Sequence, residues 1–175
     1  MKNLIPAWEN GNLKPIEKLE VHKRALKHKA VSVFLISGSE TLIQQRSLNK
    51  YHTPGLWANA CCTHPFWEEK SGDCAKRRLD EELGIKTNLE FFYRDQIEYK
   101  ANVGNGLVEH ELVDIFTVTV DKKEKIKISP NTCEVKDTRW VTFDILQKEI
   151  KSKSDLFTPW FKIYLTNHIS QIFNA

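Results

Sequence analysis

A chain of 175 residues that is 41% hydrophobic and carries a formal net charge of +3 has room for one well-packed core but not for two, so residues 1–175 are read as a single domain. No run is apolar over a bilayer's length and the first residues, MKNLIPAWENGNLKPIEK, lack a secretory signal's apolar stretch and cleavage site, so a cytoplasmic protein with no membrane partner is expected. The small net charge, with bases mixed among acids in DKKEKIK and RRLDEE, argues against a nucleic-acid surface and for a small anion as ligand, while Cys61, Cys62, Cys74 and Cys133 are expected to be free thiols.

In chain order, the domain is expected to run continuously from about residue 15, with the residues before it forming an extension. Residues 29–36 (KAVSVFLI) and 41–45 (TLIQQ), separated by the turn-prone SGSE, predict a hairpin. Residues 50–66, rich in Pro, Gly, His and Asn, predict a structured loop that aims side chains at a site, with no regular element. Between Asp73 and Leu83 the run CAKRRLDEEL places Ala75, Leu79 and Leu83 four apart on one helix face, and Gly84 suits the C-cap. Strands follow at about 90–100, 112–120 and 138–141, and helices at about 142–151 and 158–172. This order predicts an α/β fold with α/β/α layering.

The run ending at Ile85, EEKSGDCAKRRLDEELGI, resembles the helix half of a Nudix box through Glu69, Arg77, Glu81, Glu82, Leu83 and Gly84. Two positions depart from the hydrolase pattern: Thr63 stands where a Gly is expected, and Arg78 where a Glu is expected. A guanidinium in place of a helix carboxylate repels the metal that a hydrolase needs to activate water. The segment LWANACCTHP (56–65), the strand Val108-Glu109-His110-Glu111, Tyr99 ten positions earlier, and Thr158-Pro159-Trp160 are together similar to type I isopentenyl-diphosphate isomerases, which are built on a Nudix-type α/β/α sandwich with a mixed β-sheet.

That resemblance implies an isomerase that moves a double bond between isopentenyl and dimethylallyl diphosphate in isoprenoid synthesis. It implies a metal site made by His22, His28, His64, Glu109 and Glu111, a donor set that suits Mn²⁺ or Zn²⁺. It further implies a Mg²⁺ held by Glu82 and the substrate's diphosphate. Lys18, Arg46, Lys50 and Arg78 match the family's diphosphate-binding bases. Cys62 and Glu111, the latter assisted by Tyr99, match its two proton-transfer walls, with the direction of transfer left open. Trp160 would face the developing cation and Trp57 would shape the pocket. Neighbours on an extended segment face opposite ways, so Cys61 is expected to pack behind Cys62. On the residues alone, His22 and His28 read first as solvated helix residues lying before the first strand, and it is the resemblance that turns them into ligands. His52, His110 and His168 match nothing in the family, and His110 should point away from its flanking glutamates. The expected assembly is a monomer or weak dimer. Two other readings stand beside this one: a Nudix hydrolase of nucleoside or other diphosphates, and a catalytically silent Nudix-fold binding module.

Overall fold

Apolar residues alternate along the central strands and recur at helical spacing on either side of them. The computed structural model describes residues 3–86 and 89–173. The first strands, β1 (Leu4–Glu9) and β2 (Asn12–Glu17), close a hairpin over Asn10 and Gly11, whose φ angles of 51° and 78° suit a two-residue turn of the primed type. β2 runs straight into α1 (Lys18–Lys23), where the Glu17 carboxylate caps the helix by accepting from the Glu20 N–H at 2.9 Å.

The sheet's axis is β3 (Lys27–Ser37), followed by β4 (Glu40–Arg46) and two short strands, β5 (Trp57–Asn59) and β6 (Cys61–Thr63). After α2 (Ser71–Leu83) come the long hairpin β7 (Phe92–Gly104) and β8 (Leu107–Thr119), then β9 (Val135–Thr142), α3 (Phe143–Ser152), α4 (Pro159–Asn167) and α5 (Ile169–Phe173). β3 runs parallel to β8 and antiparallel to β1, β4 and β6, while β4 also pairs with β5 and β9. Among the described residues the result is a mixed nine-stranded sheet. Alternation along β3 divides the core: Val31, Val33 and Leu35 pack with Cys74, Ala75, Leu79 and Leu83 of α2. Ala30 and Phe34 pack on the opposite face with Leu146, Phe161 and Tyr164. This is the expected α/β/α sandwich.

Four local expectations change. Residues 4–17, read as lying ahead of the domain, are hydrogen-bonded into its sheet through Ala7 opposite His28, and Ile5, Ala7 and Val21 form a small core. Pro6 and Pro15, facing each other across this outer hairpin, are what obscured its strand pattern. His28 lies within β3, and only His22 is helical. The 50–66 loop contains β5 and β6. The last helix breaks at His168 into α4 and α5, within a Thr166-Asn167-His168 run of weak helix formers.

Gly84 ends α2 with φ 63°, and a Cβ there would stand 2.6 Å from the Ser129 carbonyl oxygen. Backbone conformation and contact both oppose a side chain, so Gly84→Ala should destabilise the protein by ~2 kcal/mol or more in denaturant unfolding. An unchanged midpoint would mean that the 129 segment yields freely.

Candidate active site

Four elements bring five side chains to one buried cluster. α1 delivers His22, the start of β3 delivers His28, the end of β6 leads into His64, and β8 presents Glu109 and Glu111 two residues apart on one face. His22 and His28 are both 0% exposed, against the alternative of solvated side chains. The Nδ1–H groups of His22 and His28 donate to the carbonyls of Lys18 and Leu26 at 2.6 and 2.8 Å. That choice of tautomer turns their Nε2 lone pairs inward. His64 Nε2 lies 3.2 Å from His28 Nε2 and 2.8 Å from Glu111 Oε1, and His22 Nε2 stands 3.9 Å from Glu109 Oε1. Tyr99, opposite Glu111 in the β7–β8 register, ties the carboxylates together, with its phenol oxygen 2.9 Å from Glu109 and 2.7 Å from Glu111. His110 points away to Glu98, and His168 pairs with Gln171 at the surface.

The electrostatics of this cluster suit a cation. Burial, then the neighbouring His28 charge, lowers His22 to about 4, and burial also pushes His64 well below the usual histidine range. Neutral imidazoles are the state that ligates metal. Burial, then the Glu111 charge, raises Glu109 to about 8; burial also opposes ionisation of Glu111, but its contacts with His28 and His64 outweigh that and hold it low. The pair therefore keeps a proton that a divalent ion would replace. The Nε2 of His22 is buried with no hydrogen-bond partner, which is the signature of a ligand atom aimed at an ion. The residues fit the metal site that the sequence implied.

Beside the cluster, Lys18, Lys50, Tyr51, Thr63, His64, Arg78 and Glu134 line a cavity of about 430 Å³. Burial, then repulsion from Lys50 and Arg78, lowers the Lys18 ammonium, a sign of cations gathered without enough counter-charge. Arg78 bonds Glu81 at 2.8 Å and also contacts Glu82 and, at 3.4 Å, Glu134, which pairs with Lys50 as well. Glu82 is buried and accepts from Gln44 at 2.8 Å.

The same walls narrow inward to a chamber of about 30 Å³ lined by Arg46, Tyr51, His52, Cys62, Glu82, Glu109, Glu111 and Trp160 among others. Cys62 accepts a hydrogen bond from Ser32 Oγ at 3.2 Å, and Ser32 Oγ lies 3.1 Å from the Tyr164 hydroxyl, which can donate to it in turn. Burial, then the Glu111 and Glu109 charges, keeps the Cys62 thiol protonated. Cys61 faces the other way, into the α2-side core. Trp160 is 1% exposed, its indole N–H has no partner, and the Arg46 guanidinium stands 5.3 Å from its ring centroid. Sequence reasoning missed His52, Tyr51, Ser32, Tyr164 and Glu134. Only the composition of the 50–66 loop hinted at the first two.

The NUDIX domain family model matches residues 26–161. The chain is thus a Nudix-fold protein, and solved structures agree: one from Deinococcus radiodurans superposes with a TM-score of 0.71 at 13% identity, covering 93% of this chain and 96% of that one. A MutT NUDIX hydrolase from Burkholderia pseudomallei gives 0.60 at 17% identity over 81% and 98% of the two chains. Among curated relatives, the isopentenyl-diphosphate Delta-isomerase of Dinoroseobacter shibae is 55% identical over 100% of this chain and 98% of its own length. The protein of the same name from Ruegeria pomeroyi is 52% identical over 97% and 93%. The chain belongs to the isopentenyl-diphosphate Delta-isomerase family.

Because Glu109 holds a proton below about pH 8, a divalent ion taken up by the cluster should release about one proton near pH 7. Its apparent affinity should therefore climb by about tenfold per pH unit toward pH 8 and level off above. Calorimetric titration of metal-free protein in buffers of different ionisation heat reads this directly. Uptake with no proton release would show that Glu109 is already ionised.

Proposed function

We infer that the protein is an isomerase interconverting isopentenyl diphosphate and dimethylallyl diphosphate, and that the buried chamber is where it does so. The observation that carries the reading is that Cys62 and Glu111 line one enclosed space beside a cation-lined cavity, in a chain related over nearly its whole length to isomerases of that name. Moving an unactivated double bond requires a proton at the terminal methylene and loss of another from the allylic carbon, with a tertiary cation-like state between. Cys62, kept as a thiol and oriented by Ser32, forms one wall. Glu111, with Tyr99 hydrogen-bonded to it as a proton relay, forms the other. Trp160 offers its ring face to the developing cation, an interaction of ~2 kcal/mol in a desolvated site, once Arg46 turns toward phosphate. Lys18, Arg46, Lys50 and Arg78 bind the diphosphate, with Lys50 and Arg78 exchanging Glu134 for it.

His22, His28, His64, Glu109 and Glu111 would hold Mn²⁺ or Zn²⁺, and Glu82 would hold Mg²⁺ together with the diphosphate. Bound there, these ions supply charge that keeps Glu111 directed and ionised and that neutralises the substrate's tail. We place the enzyme in the cytoplasm and in isoprenoid synthesis, as a monomer or weak dimer. A hydrolase reading is disfavoured, since Arg78 stands where the hydrolase pattern has a glutamate and so leaves one carboxylate fewer on α2 to gather metal around water.

Purified protein with Mg²⁺ should exchange solvent deuterium into both diphosphates; absence of exchange under any divalent metal, or release of phosphate from a nucleotide panel, would overturn the assignment. Cys62→Ala should lower turnover by ~10²–10⁴-fold with metal content and folding intact, while Cys61→Ala, in the core, should cost stability and little rate. Equal losses of rate would mean that the wrong thiol has been chosen. Glu111→Gln should lose both metal and rate, and a fully metallated, fully active variant would remove it from the mechanism.

A further inference from the structure

Four histidines surround this cluster, and the fourth, His52, has no counterpart in the motifs that carried the family resemblance. Its side chain is 5% exposed, and its Nε2 stands 3.4 Å from Glu109 Oε1, inside the 2.8 to 3.9 Å range spanned by the other imidazole-to-carboxylate distances of the cluster. The His52 ring stacks on His22 with centroids 5.8 Å apart. His22, His52 and Glu109 bring their ligand atoms within 4.8 Å of one another, as do His22, His28 and His64. His22, whose buried Nε2 has no hydrogen-bond partner, belongs to both groups.

The loop is built to aim this ring. Thr53 takes a φ of 47° and Gly55 one of 72°, and Arg46 donates to the His52 and Thr53 carbonyls at 3.2 Å each. A non-glycine residue in the left-handed region is held there by its surroundings. The Thr53 hydroxyl lies 3.0 Å from His52 Nδ1 and can accept its proton, which leaves the Nε2 lone pair facing the Glu109 carboxylate. An imidazole lone pair facing a carboxyl group whose proton a divalent ion would displace, beside an unpartnered ligand nitrogen, is a place for a cation.

We propose that His52 is a fourth imidazole ligand of the metal centre, closing it on the side that faces Trp160. This rests on the reading of His22, His28, His64, Glu109 and Glu111 as metal ligands, and extends it to a residue on the loop between β4 and β5. The ring would also join the metal to the chamber wall, since His52 meets the Trp160 ring edge-on at 6.0 Å.

The test is to load the metal-free protein with Co²⁺ and count hyperfine-shifted, exchangeable imidazole N–H signals by NMR, alongside the rate at which a chelator removes the ion. Wild type should give four such signals. His52→Phe, which keeps a ring and removes the nitrogen, should give three and release Co²⁺ about tenfold faster or more. His52→Ala, with folding checked by circular dichroism, should agree with His52→Phe. Three signals in wild type and in both variants, with unchanged release, would overturn the proposal and leave His52 as a packing neighbour of Glu109. Failure of wild type to take up Co²⁺ at all would instead overturn the metal reading beneath it, and the proposal with it.

Discussion

The structure is organised around two carboxylates that the fold removes from water. Glu109 and Glu111 are 3% and 1% exposed, and ionised groups so buried need compensation that water no longer supplies. The Tyr99 hydroxyl donates its one proton to Glu111 and can accept from protonated Glu109, His64 gives Glu111 a second hydrogen bond, and the remaining demand is met by the shared proton or by a cation. The hairpin before β3 makes sense in these terms. By packing Ile5 and Ala7 against Val21 it seats α1, and α1 in turn holds His22 over the carboxylates. Residues that look peripheral in the chain thus form one wall of the cluster.

Much of this was legible in the sequence where structure depends on neighbours in the chain. The helix-forming run after Asp73, the Gly84 stop, the β-branched and apolar run of residues 29–36 and the period-two spacing of Glu109 and Glu111 are local signals, and the folded chain follows them. The motif from Trp57 to His64 could be matched as a string, and the opposite orientations of Cys61 and Cys62 follow from the alternation of a strand. What could not be read depends on register between distant segments. Ser32 reaches Cys62 because β3 pairs them across 30 residues, and Tyr164 joins Ser32 from 132 residues away. His52 was passed over because no periodicity governs a loop, and its burial comes from the unusual backbone at Thr53 and the grip of Arg46.

The pairing of acids and bases on α2 explains how a fold shared with hydrolases turns to different chemistry. Arg77 grips Glu69 through two contacts of 2.6 and 2.7 Å and reaches Glu81 at 3.0 Å. Arg78 takes Glu81 and Glu82 from the other side. The helix carboxylates are thereby engaged by guanidinium groups, which weakens the negative field needed to collect metal around an attacking water. The buried grouping of ligand atoms lies instead where Glu109 and Glu111 of β8 meet His22, His28 and His64. A cation held there would lie beside the small chamber and the Cys62 thiol, an arrangement with little use for cutting a phosphoanhydride. On the proposed assignment it would suit a reaction whose difficulty lies in placing and removing protons on carbon, where excluding water would protect a cation-like state.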